Sequence, residues 1–376
     1  MKKKLKSNLF IGVLSGTSAD SIDAGLFKID KKISFLNFAS TKYDEKLKDA
    51  ILDISRNKKL PSKGVLKDID NKVGEISAKT INKLIKKTPF KASEICAIGS
   101  HGQTLMHKRQ GRKTFSLQVG DPFLIGRETN ITTVSNFRQA NIKNGGQGAP
   151  LTPSFHKEFF KSSAEDRLII NIGGISNMTF LPKKGNSFGW DCGPGNCMID
   201  NFIQKNSKKK YQFDKNGQLA AKGDIYPYEI EIDKYLKSKL FQFELPNSFS
   251  IENFDLEKFQ IKLGKASSAD QAACLTEITA RSIFKSIENF CPIKKASVYL
   301  CGGGAENKFL VSRLKILLGS SFPIKDINTL GLKPKYIEAA TFAWLAKKRL
   351  TGEKIYLKLS TGAKPSLLGE INKKLN

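Results

Sequence analysis

Three short stretches of this 376-residue chain have the composition of phosphate-binding turns. The first is "SGTSADSID", which supplies Gly16, Thr17, Ser18, Ala19, Asp20, Ser21, Ile22 and Asp23 between the apolar runs "LFIGVL" and "AGLFKI". Small residues let backbone N–H groups approach phosphate oxygens, and the hydroxyls of Thr17 and Ser18 add donors. The same residues would also suit an ordinary hairpin turn. The second stretch, "NIGGISN", carries Gly173 and Gly174. The third, "CGGGAEN", carries Gly302, Gly303, Gly304 and Asn307. The chain has neither a lysine-bearing P-loop nor a GxGxxG fingerprint, so phosphate would be held by backbone groups and hydroxyls.

Such turns need strands on either side. "NLFIGVL" and "DAGLFKI" read as two strands around the first turn, with "ISFLNFAS" as a third in an antiparallel meander. Apolar Val73, Ile76, Ile81, Leu84 and Ile85 predict a helix from about Val65 to Lys86. "EICAIGS" reads as a short buried strand ending directly in "HGQT". Around "NITTVSNFR" the pattern starts over, and "RLIINIGGISNMTFL" repeats the opening theme of strand, Gly-rich turn and strand. "ASVYLCGGGAEN" is a third strand ending in glycines, ahead of the helix "NKFLVSRLKILL". "YIEAATFAWLAKKRL" is a late helix that could bridge two halves, and the tail "STGAKPSLLGEI" should pack back on the first. The expected division is α/β domain I at 1–130, completed by 346–376, and α/β domain II at 131–345, two related halves closing on a nucleotide.

Composition narrows the function classes. With 40% hydrophobic residues, the chain can bury the cores of two domains. No apolar run approaches the ~20 residues of a membrane span. The six cysteines are scattered without a CxxC pair, as in a cytoplasmic protein with reduced thiols. "KKKLK" resembles the start of an export signal, but the apolar stretch after it is short, interrupted by glycine and followed by no cleavage-type site. The formal charge of +28 attracts anions. Its lysines are spread along the chain and no nucleic-acid-binding motif accompanies them, so a solvated basic surface is expected, with no nucleic-acid partner. A non-catalytic nucleic-acid-binding protein is the competing reading from another class; its mark would be steeply salt-dependent binding without ATP turnover.

Taken in order, "SGTSADSID", "GSHGQTLMH", "GGQGAPLTPSFH", "NIGGISNMT", "DCGPGN", "CGGGAEN" and "EAATFAWLA" resemble the motif series of the anhydro-N-acetylmuramic acid kinase family. The resemblance spans Gly12 to the tail's "TGAKPSLLG". It implies a two-domain actin-like (ribonuclease H-like) ATPase fold with the active site in the interdomain cleft, built from two phosphate loops and an adenosine loop as in the actin, hexokinase and Hsp70 superfamily. It also implies that ATP and water turn 1,6-anhydro-N-acetylmuramic acid into N-acetylmuramic acid 6-phosphate in cell-wall recycling, with Mg²⁺ as the divalent ion. A homodimer is expected. Two departures stand out. Ser21 replaces the glycine of the family's "GTSxDGxD". "PNSFSIENF" (Pro246 to Phe254) stands where the family shows "PKSTGRExF", keeping Ser248, Glu252 and Phe254. Altered loop geometry is expected there, and a kinase of another sugar on the same fold is the alternative it leaves open.

On this resemblance, the attacking water needs a general base. Asp191 in "GWDCGPGN" is the candidate, with a helix N-cap aspartate as its alternative. Glu338 would be a second carboxylate orienting the water, or else a solvated glutamate at a helix start. His101, Gln103 and Thr104 could bond sugar hydroxyls and the N-acetyl group. Arg138 suits the lactyl carboxylate, which a guanidinium grips through two parallel hydrogen bonds; a surface salt bridge is the alternative. Gly148, in "GGQGAPL", should line the cleft as a close-approach loop. Asp20 or Asp23 would meet Mg²⁺ through water, because that ion keeps much of its hydration, and the sequence leaves the choice between them open. His101, His107 and His156 have no metal-ligand spacing.

Overall fold

Every residue of β1 (Leu9–Ser15) is buried, the pattern of a central strand covered on both faces. A computed structural model describes residues 5–373 except 58, 111, 112 and 255. The lysine-rich ends at 2–4 and 374–376 lie outside the described residues. β1 pairs antiparallel with β2 (Ser21–Ile29), and β2 with β3 (Ile33–Lys42). α1 (Glu45–Asn57) and α2 (Lys63–Lys86) follow; Ser62 opens α2 by accepting the Val65 N–H at 3.4 Å. β4 (Ile95–Gln110) returns parallel to β1, then folds with β5 (Lys113–Val119) into a hairpin. α3 (Pro122–Thr129), β6 (Thr133–Ser135), α4 (Phe137–Lys143) and α5 (Thr152–Phe160) come next.

A second meander comprises β7 (Arg167–Ile172), β8 (Ile175–Leu181) and β9 (Phe188–Pro194). It is followed by α6 (Cys197–Asn206), α7 (Glu229–Leu236), α8 (Leu256–Leu263) and α9 (Ser268–Phe290). β10 (Ser297–Cys301) lies parallel to β7, and after α10 (Lys308–Leu318) β11 (Ile324–Lys325) lies parallel to β10. The chain ends through α11 (Ile337–Thr351), α12 (Lys358–Thr361) and β12 (Glu370–Asn372), which pairs with β6 as expected of a tail returning to the first half.

The two sheets run β12-β6-β4-β1-β2-β3 and β11-β10-β7-β8-β9. From the meander end they read β3-β2-β1-β4-β6 and β9-β8-β7-β10-β11, each with three antiparallel strands followed by two parallel ones, and β12 adds antiparallel beyond β6. One topology occurring twice in one chain is the duplicated ribonuclease H-like plan of the actin-like ATPases, the fold class expected.

The chain forms two compact units. One holds the residues through Phe155 together with those from Leu330 onward; the other is His156–Thr329. The boundaries expected at 130/131 and 345/346 therefore shift. β6 pairs with β4, and α11 packs on β1, β2 and β4, so residues 131–155 and 330–345 group with the first unit. The apparent restart at "NITTVSNFR" is the extension of the first sheet by β6 and α4, and α11 is an element of that sheet's cover. Its approach is close: a Cβ at Gly12 or Gly99 would collide with the carbonyl of Ala339 or Phe342.

The first core gathers Ile11, Ile22, Leu26, Val73, Ile81 and Ile98. The second unit has one core around Leu168, Ile170, Trp190 and Val298 and another around Phe202, Ile232, Phe259 and Leu275. Each such side chain contributes about 1.5–3 kcal/mol by leaving water. All six cysteines are free thiols. Among the described residues no helix is long and apolar enough to cross a membrane.

Candidate active site

In the first unit, the chain leaves β1 and turns through Gly16, Thr17 and Ser18, all exposed. Ala19 is buried at φ +50, and its N–H closes the turn on the Gly16 carbonyl at 3.1 Å. Ile22 is buried in β2. Gln103 braces the turn from below. It is fully buried, and its Nε2 donates to the carbonyls of Gly16 (3.2 Å) and Thr104 (3.1 Å), so its amide holds the turn after β1. Ser21, the residue in place of the family's glycine, donates through Oγ to Asp23 Oδ1 at 3.2 Å and so steadies that carboxylate. Asp20 is paired with Lys48 of α1 at 2.7 Å.

No group of three or more His, Cys, Asp or Glu among the described residues could cage a metal. The donors present fit Mg²⁺ in its usual form, an ion shared between one carboxylate, nucleotide phosphates and water. Asp23 is the carboxylate not already neutralised by a lysine in an ion pair.

β4 bends at Gly102, where φ is +70 and a Cβ would strike the Val119 carbonyl. The strand expected to end before "HGQT" therefore continues to Gln110, and this motif occupies the bend. His101 stacks on Phe342 of α11 with centroids 4.4 Å apart and planes at 9°. Burial, reinforced by Arg138, holds its imidazole well below the usual range and so neutral. Burial and Arg138 likewise push His107 down to about 3. His107 Nδ1 meets Ser116 Oγ at 3.1 Å, and Gln118 Nε2 donates to Ser116 Oγ at 2.8 Å and Thr104 Oγ1 at 3.4 Å. Thr104, His107, Ser116 and Gln118 thus form one polar face of the β4–β5 hairpin. Sequence reasoning found only Thr104 of these. The alternation in "FSLQVGD", with Ser116 and Gln118 between apolar neighbours, was the available signal.

Arg138 lies in the first turn of α4 and is half-buried. Its charge acts on His101, His107 and Glu338. The Gly148 N–H donates to Asn141 Oδ1 at 2.8 Å, and a Cβ there (φ +79) would come within 3.6 Å of Arg138 Cβ. The close-approach loop accordingly lies beside Arg138. Glu338 stands in the first turn of α11. Desolvation pushes its carboxyl above the usual range; Arg138 opposes this and Asp23 adds to it. Glu338 is itself exposed, as a glutamate at a solvated helix start would be. Arg138 thus acts on both neutral histidines and on Glu338, and Asp23 acts on Glu338.

In the second unit, Asp191 lies inside β9 and is only 6% exposed. Its N–H donates to the Asn247 carbonyl at 3.2 Å, Asn247 Nδ2 donates to the Asp191 carbonyl at 3.3 Å, and the Phe249 N–H donates to Asp191 Oδ2 at 2.7 Å. The capping alternative falls away, because Asn196 holds the N-cap position of α6. Gly173 and Gly174 make the β7–β8 turn, and their carbonyls accept the N–H groups of Asn196 (2.7 Å) and Gly195 (3.0 Å). Cys301 sits beside Asn171 in register, so the turns after β7 and β10 emerge side by side. That is the carboxyl end of parallel strands, where α/β sheets bind ligands. Gly302 (φ +79) and Gly304 allow this approach, since a Cβ on either would hit Ile172, and Gly303 faces Asn196. Asn307 caps α10, its Oδ1 accepting the Leu310 N–H at 3.0 Å. His156 is a core residue, its Nδ1 2.9 Å from Thr179 Oγ1.

A family model for anhydro-N-acetylmuramic acid kinase matches residues 8–374. The chain belongs to that family. It is similar to the anhydro-N-acetylmuramic acid kinase of Coxiella burnetii, with 38% identity over 368 residues covering 96% of each chain. The Xylella fastidiosa protein of the same name is 37% identical, covering 97% of this chain and 96% of its own. That of Saccharophagus degradans is also 37% identical, covering 98% and 99%. Among solved structures, a ROK family glucokinase from Streptomyces griseus aligns with a TM-score of 0.43 and 12% identity, covering 90% of this chain and 99% of that one.

As a member of the anhydro-N-acetylmuramic acid kinase family, the chain is an ATP-dependent sugar kinase. It opens 1,6-anhydro-N-acetylmuramic acid with water and phosphorylates it to N-acetylmuramic acid 6-phosphate, a step of peptidoglycan recycling.

Proposed function

We propose a division of labour for this anhydro-N-acetylmuramic acid kinase chemistry. Gly16 to Asp23, with the Gly173–Gly174 and Gly302–Gly304 turns, hold the nucleotide. Arg138 grips the lactyl carboxylate, and the neutral His101, together with Thr104, bonds the sugar. Asp191 is the general base and Glu338 orients the water. The observation that carries the sugar side is the reach of the Arg138 charge to His101, His107 and Glu338, with Asp23 of the first turn acting on that same Glu338.

The water oxygen attacks the anomeric carbon and gives its proton to Asp191. The bond from that carbon to the bridge oxygen breaks, and the bridge oxygen takes the γ-phosphoryl of ATP as ADP leaves. The phosphoryl group occupies the place that a proton from a second acid fills in glycoside hydrolysis, so one base suffices. Mg²⁺, when bound with the nucleotide, neutralises charge on the transferring group. Asp23 would hold it through water, because Asp20 is already paired with Lys48. Neutral histidines donate hydrogen bonds to sugar oxygens without competing with Arg138 for the carboxylate. The free thiols support a cytoplasmic setting. A homodimer completes the reading and is checked by sedimentation equilibrium.

The deciding experiment is mass spectrometry of the product formed from anhydro-N-acetylmuramic acid and ATP in ¹⁸O-water, quenched before anomeric exchange. One label should enter the sugar at the anomeric hydroxyl and none the phosphate. Label in the phosphate, or turnover only with a different sugar in a panel, overturns the proposal.

A further inference from the structure

We propose that the segment Pro246 to Ser250 is a clamp that aims Asp191, and that the Phe249 N–H is its decisive contact. The proposal rests on reading Asp191 as the base. β9 is the edge strand of its sheet, bonded to β8 on one side. The other side of an edge strand presents unpaired N–H and C=O groups, and such a strand can shift or fray. At Asp191 both groups have partners from one residue, Asn247, whose carbonyl accepts at 3.2 Å and whose Nδ2 donates at 3.3 Å. Two residues on, the Phe249 N–H reaches the side chain itself, at 2.7 Å to Oδ2. Backbone and carboxylate of the same residue are thereby fixed by one stretch of chain.

The clamp has its own anchorage. Asn247 is buried. The Phe249 ring meets Phe243 edge-on at 5.3 Å and Phe254 at 5.2 Å. This accounts for the departure at "PNSFSIENF". The bond to Asp191 Oδ2 comes from the main chain, so a threonine-to-phenylalanine change at 249 leaves the donor in place, and the aromatic contacts hold the new side chain. Asn247, where the family has lysine, supplies the short amide that reaches the Asp191 carbonyl. Asn247 and Phe249 are positioning residues, acting on the reaction through Asp191.

The test uses the full chain and steady-state kinetics for both substrates. Phe249→Ala keeps the N–H and removes the ring; Phe249→Pro removes the N–H as well. Relative to Phe249→Ala, Phe249→Pro should lower kcat by ~10–10²-fold, the cost of an ångström-scale misplacement of a catalytic group, with both KM values within about twofold. In an Asp191→Asn background the two variants should have equal residual activity, because a residue acting through Asp191 has nothing left to act on. Equal kcat for Phe249→Ala and Phe249→Pro in the native background overturns the clamp, as does an undiminished difference between them in the Asp191→Asn background. If Phe249→Pro fails to fold, Asn247→Asp, which lacks the Nδ2 donor, is measured against the unaltered chain under the same criteria. Asp191→Asn by itself tests the base: full turnover in that variant removes the base assignment and the clamp's role with it. Lost turnover without a Phe249 effect removes the clamp alone.

Discussion

Gly12 on β1 lies so close beneath the Ala339 carbonyl of α11 that no Cβ fits between them. The neighbour of Ala339 is Glu338, so this contact sets the height of a proposed site residue above the sheet. Gly12→Ala should destabilise the chain by about 1–3 kcal/mol through overpacking against rigid backbone. Turnover should fall in the fraction that remains folded. Gly64→Ala is the control, since a Cβ there meets nothing within 4 Å. Chemical denaturation of both variants reads the difference, and equal midpoints would show that α11 can simply ride outward.

Arg138→Lys keeps the positive charge near His101 and Glu338 but gives up the planar fork. The apparent KM for the sugar should rise by at least tenfold while that for ATP changes little. Equal changes in both would move Arg138 from sugar recognition to a structural role.

Asp191→Asn preserves size and can still accept the Phe249 N–H, yet cannot take the water's proton. Turnover should drop ~10²–10⁴-fold with both substrates still bound, as is usual on loss of a positioned base. Isothermal titration with the anhydro sugar separates this from a folding defect: a variant that neither binds nor melts near the native temperature places Asp191 in the scaffold.

Asp23→Asn should raise the Mg²⁺ concentration needed for half-maximal rate several-fold. Asp20→Asn should not, since that carboxylate is engaged by Lys48 at 2.7 Å. The exposed Asp20–Lys48 pair is also worth little to stability, at about 0–1 kcal/mol. A Mg²⁺ titration in which the two variants exchange places would assign the ion to Asp20.

His156 is fully desolvated, and burial pushes its imidazole down to about 3. The unfolded chain takes up a proton near the ordinary value of ~6.5, whereas the folded chain does not. Stability is therefore complete above pH ~6.5 and declines as pH falls from there toward about 3. His107 acts with the same sign, its imidazole also pushed down to about 3. Melting temperatures between pH 7.5 and 5 should fall for the native chain and fall less steeply for His156→Phe; parallel curves would mean that His156 protonates in place.

What the residues disclosed followed periodicity and local chemistry. α2 was legible because its apolar positions recur at helical spacing. The glycine turns were legible because strands flank them. β4 was not, because "HGQT" reads as a terminus, whereas Gly102 at φ +70 lets the strand bend and continue. β6 spans only Thr133–Ser135, too few residues for a pattern, and so the first domain was cut short. Asn307 before "KFLVSRL" carried a cap signal that the glycines beside it overshadowed. The surroundings of Asp191 were out of reach for a different reason. Its partners Asn247 and Phe249 lie far along the chain, and two of the three bonds use main-chain groups at 247 and 249, which leave no mark on residue identity.

The amide of Gln103 links the bend of β4 to the Gly16 carbonyl at 3.2 Å. One residue on from it, Thr104 begins the polar face assigned to the sugar. A displacement of the hairpin is passed by a single side chain to the turn assigned to ATP. On these assignments Gln103 would couple the two binding steps beyond the direct meeting of sugar and γ-phosphate, and by linkage the influence would be mutual: the factor by which sugar alters affinity for ATP is the factor by which ATP alters affinity for sugar.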